Sequence, residues 1–174
     1  MKKIQFIALI VLLVSFAAFG QPGDGWVKES MKTYSIAHPN DWQFDTSGQL
    51  GTKFIILSPV TSGTDQFREN VNLFVQDLTA KGIDLDKFVK ITEEQIATFM
   101  TDGKILLSKR MKGGDFEYHK MIYTGKQGKF NLKFEQYYLI VGEKAYVLTL
   151  TCEVSQFDNY QKTGEKILDS FKFE

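Results

Sequence analysis

Phe130-Asn131-Leu132-Lys133-Phe134-Glu135-Gln136-Tyr137-Tyr138-Leu139-Ile140 alternates apolar and polar side chains for most of its length. A period of two is that of a β-strand, whose successive side chains point to opposite faces. Phe130, Leu132, Phe134, Tyr138 and Ile140 point one way. Lys129, Asn131, Lys133, Glu135 and Tyr137 point the other. A slip of one residue would exchange the two rows, so pairing register is well specified.

Working outward, Gly-bearing turns flank this strand. Gly125–Gly128 precedes it and Gly142-Glu143-Lys144 follows it. The segments Ile105–Met111 and Phe116–Tyr123 read as strands, joined by Lys112-Gly113-Gly114-Asp115. Ala145–Cys152 reads as the strand that closes the set, with Tyr146, Leu148, Leu150 and Cys152 continuing an apolar face. Short turns between such runs join antiparallel neighbours.

The period changes on either side of this meander. Leu85, Phe88, Val89, Ile96, Phe99 and Met100 recur at helical spacing and predict a helix over Leu85–Met100. Asp84 and Asp86 suit its start, where negative charge opposes the positive end of the helix dipole. Gly103 suits its end. Phe157, Tyr160, Ile167, Leu168 and Phe171 predict a second helix over Ser155–Leu168, with Ser155 as its N-cap. Gly164 lies on the same face and permits close helix–sheet approach. Earlier in the chain, Trp26–Ile36 holds one or two short strands, Pro39-Asn40-Asp41 a turn, and Phe54–Leu57 and Val71–Val75 further strands. The expected fold class is α+β: an antiparallel sheet with two main helices.

Residues 1–20 have a different character. Lys2 and Lys3 are followed by an apolar run from Ile4 to Phe16, then by the small residues Ala18 and Gly20. This is the n/h/c pattern of a cleavable secretory leader. It divides the chain into a leader, 1–20, and one exported domain, 21–174, that is periplasmic or secreted and keeps no stable membrane anchor after cleavage. Two of the 21 basic residues lie in the leader, against 21 acidic residues in all, so the mature domain is slightly acidic. Nucleic-acid binding needs clustered positive charge and is disfavoured. Cys152 is the single cysteine, so no intramolecular disulfide is available.

Several local words, in order, carry a resemblance. They are Tyr34-Ser35-Ile36-Ala37-His38-Pro39-Asn40-Asp41-Trp42, Glu69-Asn70-Val71-Asn72-Leu73-Phe74-Val75, the helix with Leu85 and Phe88, Tyr146-Val147-Leu148-Thr149, and Ser170-Phe171. Their sequence over residues 26–173 resembles the PsbP-like superfamily, which includes photosystem II PsbP and bacterial DcrB-like exported domains. The resemblance implies a central antiparallel sheet flanked by helices, an α/β/α sandwich, and an accessory or protein-binding role with no shared enzyme activity.

Catalytic motifs are weak. There is no G-x-S-x-G elbow and no phosphate-cradling glycine loop, and nothing implies a cofactor. His38 sits beside a Pro turn and His119 on a strand. Asp115, Glu117 and His119 alternate on one strand face, with successive side chains about 6–7 Å apart. N/O ligands of this kind suit zinc, but one strand seldom brings three ligands to a single point. The polar row Lys129, Lys133, Glu135 and Tyr137 is the expected partner face if no helix covers it. The sequence therefore reads as an exported, non-catalytic binding or accessory domain of the bacterial cell envelope, whose partner is another envelope protein. The alternatives are a hydrolase using His38 or His119 with nearby carboxylates, and a carrier holding a small apolar ligand between sheet and helix.

Overall fold

The computed structural model describes residues 25–63, 66–113 and 116–174. The leader and Asp115 lie outside them. In chain order the elements are β1 Trp26–Ser30, β2 Tyr34–Pro39, β3 Gln43–Asp45, β4 Phe54–Leu57, β5 Asn70–Asp77, α1 Leu85–Phe99, β6 Thr101–Gly113, β7 Phe116–Gln127, β8 Phe130–Val141, β9 Lys144–Glu153, α2 Phe157–Asp169 and β10 Lys172–Phe173. A seven-stranded sheet has the order β3-β4-β5-β9-β8-β7-β6, and a smaller one the order β1-β2-β10. Neighbouring strands pair antiparallel throughout both.

Each face of the large sheet buries its own apolar cluster. Under α1 lie Leu85, Phe88, Val89 and Ile96 against Met121, Tyr123, Leu132, Phe134 and Tyr138. On the opposite face Phe157, Ile167 and Leu168 of α2 join Ile36, Phe54, Ile56, Leu148 and Leu150. Burying each such side chain is worth roughly 1.5–3 kcal/mol, and two clusters separated by one sheet make a sandwich. The α+β class and the antiparallel sheet with two helices are as the alternating and helical periods predict, and the helices flank the sheet as the resemblance implies.

Local chemistry explains the helix starts, with corrections. Asp84 caps α1, its carboxylate accepting a hydrogen bond from the Lys87 backbone N–H at 2.9 Å. The N-cap of α2 is Gln156 and not Ser155, because residues 154–156 form a turn off β9. Gly103 does not end α1. It lies in β6, where a Cβ would stand 2.6 Å from the Ile96 carbonyl oxygen, so glycine lets the strand leave close against the helix it follows. The turn before β8 is Gly128-Lys129, since β7 runs on to Gln127 and Gly125 is buried in it. Phe99 is 80% exposed at the end of α1, off the face its spacing assigns it.

The register gives one further correction. Glu135 pairs with Leu150, Tyr137 with Leu148 and Lys133 with Cys152. The apolar row of β9 therefore shares a face with the polar row of β8, and not with Leu132, Phe134 and Tyr138. Gly164 permits the close approach its position predicts: a Cβ there would overlap the Leu150 side chain.

Candidate functional site

The polar row of β8 lies on the face that α2 covers. Glu135 is fully buried and Tyr137 is 6% exposed. Lys133 Nζ lies 3.8 Å from the centroid of the Phe157 ring. Lys129, in the turn, donates a hydrogen bond to Gln66. The condition for an open partner face thus fails at Glu135 and Tyr137. The cause is the amphipathic face of α2, which needs a partner and finds it on β8 and β9.

The buried carboxylate is compensated locally. Lys120 Nζ of β7 lies 2.6 Å from Glu135 Oε1 and 2.8 Å from Glu165 Oε1 of α2. Burial pushes the Glu135 carboxyl above its ordinary range, and Lys120 only partly opposes this. Burial acts in the same direction on Glu165, but its hydrogen bond and attraction to Lys120 win and hold it low. For Lys120, burial would lower the pKa, and the two carboxylates raise it on balance. This triad ties α2 to the sheet.

Both histidines are engaged. The His38 ring is buried, stacks on Phe44 at 5.6 Å between centroids and donates from Nδ1 to the Pro39 carbonyl oxygen at 2.7 Å. His119 Nε2 lies 2.8 Å from Ser108 Oγ, which donates its single proton to Glu93 Oε1 at 2.6 Å. Ser108 must then accept from His119, so the imidazole is a donor there and not a base for the serine. Burial, then Arg110, lowers the His119 pKa. Of the expected ligand row, Glu117 pairs with Lys112 at 3.6 Å, and Asp115 lies outside the described residues. Among the described residues no group of three His, Cys, Asp or Glu side chains is placed to hold a metal ion. Burial pushes the Cys152 thiol up, which opposes a thiolate role.

A cleft opens instead between the sheet and the C-terminal end of α2. A cavity of about 270 Å³ is lined by Phe116, Tyr118, Tyr137, Leu148, Asp169 and Phe171, among others. It adjoins one of about 360 Å³ that shares Phe116, Asp169 and Phe171 and reaches Lys172 and Phe173. Tyr118 and Tyr137 stand 4.7 Å apart, Phe116 and Phe173 5.2 Å. The Tyr137 hydroxyl donates to Asp169 Oδ1 at 3.1 Å. Burial and then the Asp169 charge raise the pKa of both tyrosines, so the hydroxyls stay protonated. Aromatic walls with a few convergent polar groups are the usual makeup of a small-ligand site.

Of these residues only Tyr137 was a candidate site residue from the sequence. The signal was present in Phe116-x-Tyr118 and Phe171-x-Phe173, which alternate aromatic side chains, but their convergence depends on how β10 and α2 return to the sheet. A second, polar cavity of about 400 Å³ at another site is lined by Ser62, Gln66, Lys129, Glu153 and Gln156, among others. Its wall runs through residues 61–66, of which 64 and 65 lie outside the described ones.

With its seven-stranded antiparallel sheet, a helix on each face and a small sheet beside the second helix, this chain shares a PsbP-like fold. It is similar to cyanobacterial PsbP from Synechocystis sp. PCC 6803, with a TM-score of 0.65 at 12% identity over 93% of this chain and 99% of that one. It is also similar to Mycobacterium tuberculosis LpqN, a protein involved in cell envelope biogenesis, with a TM-score of 0.65 at 11% identity over 85% of this chain and 90% of the other. Pseudomonas aeruginosa PA94, a protein of unknown function, gives 0.60 at 10% identity over 83% and 94%. No sequence-family profile and no curated protein sequence matches the chain.

Proposed function

We propose that this chain is an exported accessory domain of the bacterial cell envelope that binds a small, partly apolar ligand in the cleft between its sheet and α2. The cleft carries this reading: it joins aromatic walls to two hydroxyls and one carboxylate, without a nucleophile–base pair. The Lys-apolar-small pattern of residues 1–20 supports export of a mature domain spanning 21–174. The similarity to LpqN, whose own role is in envelope biogenesis, supports the same setting. Fold alone does not fix function, so the ligand is argued from the site.

Two measurements test this. Mass spectrometry of the native protein should find an N-terminus at or near Gln21, and an intact Met1 in the native protein counts against export. A neutral fluorescent probe, N-phenyl-1-naphthylamine, should brighten with the folded mature domain and lose most of that signal with Phe116→Asp. Equal brightening with the variant would remove the cleft from the reading.

A further inference from the structure

We infer that the cleft takes an organic cation, a small alkylated ammonium whose apolar substituents meet the aromatic walls. The inference rests on the ligand-binding reading above and deepens it by naming the ligand's charge. Three independent sources of negative potential meet there.

The first is the aromatic lining. Phe116, Tyr118, Tyr137, Phe171 and Phe173 border the two joined cavities. Phe171 and Phe173 stand edge to face, 5.2 Å apart at 83°. Ring faces are the negative end of the aromatic quadrupole and attract cations with apolar surface. The second is Asp169, whose Oδ1 accepts from the Tyr137 hydroxyl. Among the described residues it has no ion-pair partner. The third is α2 itself, whose last residue is Asp169. A helix C-terminus carries partial negative charge, so a carboxylate at that position is unfavourable to the helix and favourable to a cation beside it.

The nearby basic groups do not cancel this. Lys120, 5.6 Å from the Tyr137 ring centroid, is held between Glu135 and Glu165; Lys112 is paired with Glu117; and Lys166, in the last turn of α2, sits over the Trp26 ring. Lys172 borders only the outer of the two cavities and is exposed. An anion would meet the like charge of Asp169 and of the helix end. A neutral apolar ligand would gain nothing from the Asp169 charge.

The test is calorimetric titration of the folded mature domain with choline and with its neutral isostere, 3,3-dimethylbutan-1-ol. Choline should bind, and the isostere should bind at least about tenfold more weakly. Asp169→Asn keeps an acceptor for Tyr137 and should weaken choline about tenfold while leaving the isostere unchanged. Lys172→Gln should strengthen choline binding. Equal binding of choline and isostere would overturn the charge inference and leave the proposed function standing. Failure of both, with the naphthylamine probe still bound, would do the same. Co-sedimentation with phosphatidylcholine vesicles in the absence of choline binding would overturn a free cation as the occupant.

Discussion

The two faces of the large sheet solve the same packing problem with different materials. Under α1 the sheet presents Leu132, Phe134 and Tyr138, and the polar contacts are peripheral: the ion pair of Arg110 with Asp86, and the hydrogen bonds of Ser108 with Glu93 and His119. Under α2 the same strand presents Lys133, Glu135 and Tyr137, and the ionic contacts are internal. Yet the polar row is buried at its centre, at Glu135 and Tyr137. Glu135 is 0% exposed, whereas its apolar neighbour Phe134 is 8% exposed. Alternation therefore separates the two faces of a strand without saying which of them meets water. What decides is the partner strand: β9 places Leu148, Leu150 and Cys152 beside the polar row, and that apolar area draws α2 down over it.

The largest test of this contrast is Phe134→Ala. Phe134 stacks on Tyr123 at 4.7 Å, and its truncation should cost about 3–5 kcal/mol in urea unfolding. A loss below about 1 kcal/mol would place the α1-side row outside the core.

The matching test on the other face is Lys120→Met. It leaves Glu135 buried without its cation, which should cost about 3 kcal/mol at neutral pH. Glu135 already has a raised pKa in the folded state. An acid of that kind stabilises below its unfolded pKa and loses that contribution as pH rises through the folded value. The variant raises the folded value further, so its deficit against the wild-type chain should shrink as pH falls toward the carboxylate range. A deficit independent of pH would mean that Lys120 acts by packing alone.

Gly164→Ala should be the next in size. The added methyl meets Leu150, fully buried with nowhere to retreat, at a cost of about 1–3 kcal/mol, against a helix-propensity gain of about 1 kcal/mol. Gly125→Ala on the α1 side meets Met100 Cγ. Met100 is flexible and only half-buried, so this change should cost less. The order of the two melting temperatures sharpens the comparison, and a reversed order would break it.

The smallest effect concerns His119. Its folded pKa is held below the ordinary 6.5 by burial and then by Arg110. A base lowered in this way resists protonation when folded, so its contribution is full above the unfolded pKa and falls as pH drops below about 6.5. His119→Gln should flatten thermal stability across that window. An unchanged slope would show that the Ser108 and Glu93 contacts hold the ring without regard to its charge.

Much of the fold was legible. The strands around residues 105–152, the change of period at Leu85 and the spacing of Phe157, Ile167 and Leu168 are local patterns, and they reappear as β6–β9, α1 and α2. Errors gathered where a local pattern met a tertiary neighbour. Phe99 has the right spacing but ends its helix in the open, beside Gln95, Met100 and Tyr138. Gly103 looks like a helix stop and serves instead as the close-contact residue of the next strand. The candidate site was the least legible part, because Tyr118, Tyr137, Asp169 and Phe173 come from four different elements.

The sequence by itself determined the types and order of α1, α2 and β6–β9 and the register-setting alternation of β8, because these follow from periods of two and 3.6 that neighbouring residues express directly. Only the tertiary structure decided that Glu135 and Tyr137 of the polar row are interior, that Lys120 pairs with Glu135, and that an aromatic cleft ends in a carboxylate at the close of α2. Burial of a charge depends on what packs across from it, and the groups that pack there lie 15 and 30 residues away along the chain for Lys120 and Glu165. No local period carries information over that distance. It enters only when the hairpins close and the second helix settles on the sheet.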